Sequence, residues 1–150
     1  NLEEAPYFDT SKVSDFRNFF YGCSKLTTVP QYDMSNALDG TYMFHSCANL
    51  TSLPQFYCPK LKTANFWGNS YEFITDLGGW REIKCNLTLP STKLTPQSIT
   101  NVIEGLYDFE KWAEEPDSTQ GTLTLPRALS SVVTEEMIAM ATNKKWKIIF

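Results

Sequence analysis

One histidine, His45, and 13 lysines and arginines against 17 aspartates and glutamates leave this 150-residue chain short of imidazole and of positive charge. A formal charge of −4 with no lysine or arginine cluster excludes a nucleic-acid surface, because such a surface needs a basic patch to displace counterions from phosphates. No apolar run approaches the ~20 residues of a membrane-spanning helix, so no direct membrane span is expected. Histidines, cysteines and carboxylates nowhere take a metal-ligand spacing, and the seven glycines build no phosphate-cradling loop. Neither a metal nor a cofactor is expected on those grounds. Hydrophobic residues still make up 42% of the chain, enough for a sizeable core in one compact unit.

What the chain does have is an internal repeat. Asp33-Met-Ser-Asn through Phe44-His-Ser-Cys47-Ala-Asn-Leu50-Thr-Ser-Leu-Pro54 restates Asp9-Thr-Ser-Lys through Phe20-Tyr-Gly-Cys23-Ser-Lys-Leu26-Thr-Thr-Val-Pro30 at a constant offset of 24 residues. The columns run on: Phe8, Tyr32, Phe56 and Trp80; Leu2, Leu26, Leu50 and Ile74; Ala5, Val29, Leu53 and Leu77; Phe19, Met43 and Trp67. Gly68 follows Phe20 and Phe44 in the third unit, and Tyr71 follows Cys23 and Cys47. A period of this length marks units that cannot bury an apolar face alone and gain a core by stacking on their neighbours. Each Leu-Thr-x-Val/Leu-Pro segment reads as a short strand ended by proline, which lacks an N–H for further pairing. The Asp-x-Ser segments read as turns in irregular crossovers, their side chains accepting from nearby backbone amides.

The pattern Phe/Met-Phe-x-x-Cys-x-x-Leu-Thr-x-Val/Leu-Pro followed by Asp-x-Ser resembles the BspA-like leucine-rich repeats of surface and secreted proteins from gut and oral bacteria, mycoplasmas and some of their phages. The resemblance covers roughly residues 1–80. It implies an α/β fold, a leucine-rich-repeat solenoid with short parallel strands on one face, and a non-enzymatic role. It also implies an extracellular, cell-surface or virion location. Since Leu2, Ala5 and Pro6 already occupy repeat columns, a further Phe- or Met-Phe-x-x-Cys crossover is expected before them.

Residues 81–150 read as a strand–helix–strand–helix–strand cap of the same stack. Cys85-Asn-Leu-Thr-Leu-Pro90 and Gly121-Thr-Leu-Thr-Leu-Pro126 are its first two strands, and Trp146-Lys-Ile-Ile-Phe150 is a lysine-flanked edge strand. Thr95 with Pro96, and Thr134 with Glu135-Glu136, predict two helix starts. Ile99, Val102, Ile103, Leu106 and Phe109 give the first helix a buried face, which puts Gln97, Asn101, Glu104 and Asp108 on a solvated one. Residues 110–120 form the most polar stretch and are expected to be a mobile loop.

Leu26, Leu50, Ile74, Phe20 and Phe44 are the expected repeat core, with Cys23 and Cys47 facing inward as thiols that behave as small hydrophobes. A bridge between Cys58 and Cys85 stays open. A Cys47–His45 nucleophilic pair would need an exposed thiolate, which an inward Cys47 denies it. The alternate strand positions then make a candidate binding face: Thr27, Thr28, Thr51, Ser52, Thr75 and Asp76, continued across the cap by Thr88, Thr124 and Lys147. The expected partner is a protein or a surface glycan. A rigid spacer or cap is the other reading, because those side chains are short and monotonous. The aromatic column is the rival surface if its rings are exposed.

Overall fold

A computed structural model of the chain describes residues 2–68, 74–89, 91, 93–112 and 121–150, the side chains of 111 and 112 excepted. Tyr71, Pro90 and the polar stretch over 113–120 lie outside the described residues. The fold is mixed α/β, with short parallel strands and two helices of nine or ten residues. In chain order the elements are β1 (Ser52–Leu53), β2 (Phe56–Tyr57), β3 (Asp76–Leu77), β4 (Trp80–Arg81), β5 (Leu87–Thr88), α1 (Pro96–Gly105), the one-turn α2 (Phe109–Trp112), β6 (Gly121–Thr124), α3 (Glu135–Asn143) and β7 (Trp146–Ile149).

Successive turns of chain pair in parallel along three ladders. The first joins Glu4 to Thr28 and β1 to β3, with Ser52 opposite Asp76. The second joins β2 to β4, with Phe56 opposite Trp80. The third runs Asp15, Asp39, Thr63. Every one of these pairs carries the offset of 24 seen in the sequence. The Leu-Thr-x-Val/Leu-Pro segments are thus shorter strands than their sequence suggests: Leu26–Pro30 contributes only the Thr28 bridge. The crossovers, for their part, are more ordered than expected. Phe16 and Phe20 donate N–H bonds to the carbonyls of Asp39 and Met43, at 2.8 and 2.9 Å, and Gly40 and Phe44 repeat this to Thr63 and Phe66. Backbone groups that cannot reach water are thereby satisfied turn by turn. The Asp-x-Ser turns form as expected, with Asp9 Oδ1 accepting from Ser11 N–H and Asp33 Oδ1 from Ser35 N–H.

The period outlasts the sequence similarity. Asn101 Nδ2 donates to the Leu77 carbonyl and Tyr107 N–H to the Ile83 carbonyl, each again 24 residues away. Helix α1 therefore occupies the place on the first ladder where a further strand would lie. It starts as its sequence predicts: Thr95 Oγ1 accepts from Ser98 N–H, and Pro96 stands at the first position. A helix cannot offer its backbone amides to a strand edge, so side chains do the pairing. Ser98 Oγ accepts from Leu77 N–H and donates to the Thr75 carbonyl, both at 3.0 Å. Asn101 is half-buried in that contact rather than on a solvated face. Gly105 allows the close approach, because a Cβ there would run into the Trp80 carbonyl.

Inside the ladders the apolar columns form one core. Leu26, Leu50, Ile74, Phe20, Phe44 and Cys47 are buried in it, as are Tyr32, Phe56 and Trp80 of the aromatic column. Phe8, the first member of that column, is 47% exposed. Rings stack along the axis, Phe20 on Phe44 at 6.0 Å and Phe66 on Trp80 at 5.1 Å between centroids. Cys23 is only half-buried, packed against the core rather than within it.

Candidate functional site

Of the nine residues expected on one binding face, the structure brings six together. Thr28, Ser52 and Asp76 stand on the first ladder at matching positions, Thr28 and Asp76 exposed and Ser52 half-buried, with Glu4 opposite Thr28. Thr27, Thr51 and Thr75 form the adjoining row. Two of these threonines are occupied in stitching the turns together: Thr27 Oγ1 donates to the Glu3 carbonyl at 3.0 Å, and Thr75 Oγ1 reaches the Thr51 carbonyl at 3.2 Å. Thr75 Oγ1 also lies 3.0 Å from Asp76 Oδ2, tying that carboxylate down.

Thr88, Thr124 and Lys147 do not continue this face. They lie on the three-stranded parallel sheet β5-β6-β7, where Thr88 pairs with Thr124 and Lys147 with Thr122. That sheet joins the third ladder through the Ala64–Leu87 bridge, while α1 closes the first. The misplacement has a readable cause. Asn-Leu-Thr-Leu-Pro90 looks like Leu-Thr-Ser-Leu-Pro54 and suggests the same ladder, whereas the Ala64–Leu87 bridge, one residue short of the 24-residue count, puts it on the third.

At that junction an open cleft of about 490 Å³ is lined by Lys62, Thr63, Ala64, Asn65, Lys84, Cys85, Asn86 and Thr88. Sequence reasoning picked out only Thr88 among its polar walls. Lys84 Nζ is held over the Tyr107 ring, 4.3 Å from its centroid. A second cleft of about 280 Å³ lies at the end of α1, between Arg81, Glu82, Glu104, Asp108 and Lys144. Lys144 Nζ donates to the carbonyls of Glu104 and Leu106 at 2.6 and 3.0 Å, and its burial holds the ammonium below its ordinary pKa. This lysine caps carbonyls that the helix leaves without partners, a structural task.

The four cysteines are free, so the Cys58–Cys85 bridge left open by the sequence is not formed. Burial pushes the thiols of Cys47 and Cys58 up to about 12 and that of Cys85 to about 11. Cys47 Sγ donates to the Phe20 carbonyl at 3.1 Å, inward. His45 instead stacks on Tyr21 at 4.8 Å, meets Tyr42 edge-on at 5.5 Å, and has Nδ1 2.8 Å from Ser46 Oγ. Among the described residues no group of three or more histidines, cysteines and carboxylates is placed to hold a metal ion, and no helix is long and apolar enough to cross a membrane.

Comparison with protein-family models, with curated proteins and with solved structures returns no match for this chain.

Proposed function

We propose that the chain is a non-enzymatic binding module built on BspA-like leucine-rich repeats, engaging a protein or a surface glycan at the exterior of a bacterial cell or a phage particle. The observation that carries this reading is the row Thr28, Ser52, Asp76. Parallel pairing sets Thr28 opposite Glu4 and Ser52 opposite Asp76, each at the 24-residue offset, so these positions recur as polar side chains that the core does not use. Repeat stacks place recognition on such extended faces, since one side-chain row per turn can vary without disturbing the core. The aromatic column is not the binding stripe, because Tyr32, Phe56 and Trp80 are inside.

The test is the triple variant Thr28→Lys, Ser52→Lys, Asp76→Lys, probed against glycan arrays and host-glycoprotein preparations. We expect the thermal midpoint to stay nearly unchanged and binding to disappear. Binding retained by the variant would move recognition off this face. A rigid spacer is the second reading, and one observation favours it: the Thr27 and Thr75 hydroxyls bond across the turns rather than to solvent. For a spacer, wild-type protein and variant alike bind nothing.

A further inference from the structure

We propose that the cleft between the third turn and β5 is an oxyanion-binding site, taking a carboxylate, sulfate or phosphate group through two ammonium and two amide donors. The inference is independent of the Thr28–Ser52–Asp76 row, which lies on another ladder.

The repeat supplies its own control. On the third ladder the first two turns present aspartates, and each carboxylate finds its partners locally. Asp15 Oδ2 meets Arg17 Nη2 at 2.6 Å, and Asp39 Oδ1 accepts from both the amide and the hydroxyl of Thr41. In the third turn that acid becomes Thr63, and the residue before it, Ser14 then Leu38 in the earlier turns, becomes Lys62. Stacking does not require the exchange, since the ladder pairs Asp39 with Thr63 as it pairs Asp15 with Asp39. Its effect is to turn an acidic position into a donor-rich one. Lys84 lines the same cleft from the segment between β4 and β5, its Nζ 4.3 Å from the centroid of the Tyr107 ring.

The amides are oriented for the same task. Asn65 Oδ1 accepts from Gly68 N–H at 3.0 Å and Asn86 Oδ1 from Thr122 N–H at 2.9 Å. A backbone N–H can only donate, so in both residues the oxygen is the atom facing it, and the NH2 makes no hydrogen bond among the described residues. Lys62 and Lys84 form no ion pair among the described residues, and no carboxylate lines the cleft, although acids outnumber bases 17 to 13 in the chain. The Cys85 thiol in the wall is uncharged near neutral pH, and the Thr63 and Thr88 hydroxyls add further donors. Several donors lining one cleft with no carboxylate among them are what an anion's lone pairs satisfy, and charge-assisted bonds of this kind are the strong ones.

The experiment is a titration of the whole chain by amide NMR with inorganic sulfate, galactose 6-sulfate and N-acetylneuraminic acid, against neutral galactose. We expect saturable shifts at Thr63, Asn65, Asn86 and Thr88 with acidic probes only, weakening as salt rises. A tighter Kd for the acidic sugars than for inorganic sulfate assigns the anion to a glycan; equal Kd values assign it to free oxyanion, and either supports the site. Thr63→Asp restores the residue that the column carries in two other turns, at a position whose side chain is exposed, and it should weaken binding by ~10-fold or more, as should Lys62→Gln. Lys25→Gln, on an exposed lysine of the first turn, should change nothing. No saturable shift up to on the order of 10 mM, equal shifts with galactose, or full binding by Thr63→Asp would overturn the proposal.

Discussion

The two ends of the stack carry the same columns and meet opposite fates. Phe8 is 47% exposed and Leu2 37%, while their counterparts three repeats further on, Trp80 and Ile74, are 1% and 5% exposed. Nothing in the residues themselves accounts for this, because Phe8 is as apolar as Trp80. The difference is the neighbour along the stacking axis. Trp80 has Phe66 stacked against it and α1 packed over β4, whereas among the described residues no turn lies beyond Phe8. Burial in this fold is a property of position in the stack, and the helices are what keep its far end dry.

The largest test of that contrast is a pair of truncations. Tyr32→Ala should destabilise by about 3–5 kcal/mol in denaturant unfolding, since it opens a cavity and deletes the bond to the Pro6 carbonyl. Phe8→Ala, one turn earlier in the same column, should cost about 1 kcal/mol or less. Comparable losses for the two would end the comparison.

Gly105→Ala attacks the helix that closes the far end of the stack over β3 and β4. The substitution favours an isolated helix, yet its Cβ would run into the Trp80 carbonyl, so a loss of about 1–3 kcal/mol is expected despite the gain in propensity. A more stable variant would show that α1 has room to lift. Ser98→Ala sharpens the point at the β3 edge. It leaves the buried Leu77 N–H without a partner, for an expected loss of about 1–3 kcal/mol and faster hydrogen exchange at Leu77. Unchanged exchange there would mean that the helix does not close the first ladder through this hydroxyl.

The smallest effect belongs to the thiols. Native Cys47 and Cys58 should resist alkylation near neutral pH, Cys23 should label before them, and unfolding should expose all four cysteines. A thiol held neutral to about 12 in the fold but ionising from about 9 when unfolded contributes nothing below the lower value. Stability is then lost as pH rises above it, because the folded state keeps the proton that the unfolded state releases. Cys58→Ala should flatten that alkaline decline relative to wild type. An identical slope would place the thiol in contact with water.

The repeat and its register were legible from the first 80 residues, because an offset of 24 between identical columns leaves each ladder a single in-register pairing. Helix starts at Thr95 and Thr134 were equally legible, since capping depends on residues within one turn. The cleft was not. Its walls come from residues 62–65 and 84–88, and the acid that becomes Thr63 signals something only when compared with Asp15 and Asp39 in space. Thr88, Thr124 and Lys147 went to the wrong face for a related reason, because a strand motif says that a segment pairs and not which edge it joins.

By itself, then, the sequence determined what repeats: the period, the inward columns and the local caps, all of which rest on side-chain chemistry at fixed spacing. Tertiary structure alone decided which ladder receives α1 and which receives β5, whether Phe8 or Trp80 ends up dry, and that Lys62 and Lys84 face one cleft. Those outcomes depend on which edge of the stack has backbone groups left for another segment to pair, and that is a property of the assembled stack rather than of any one segment.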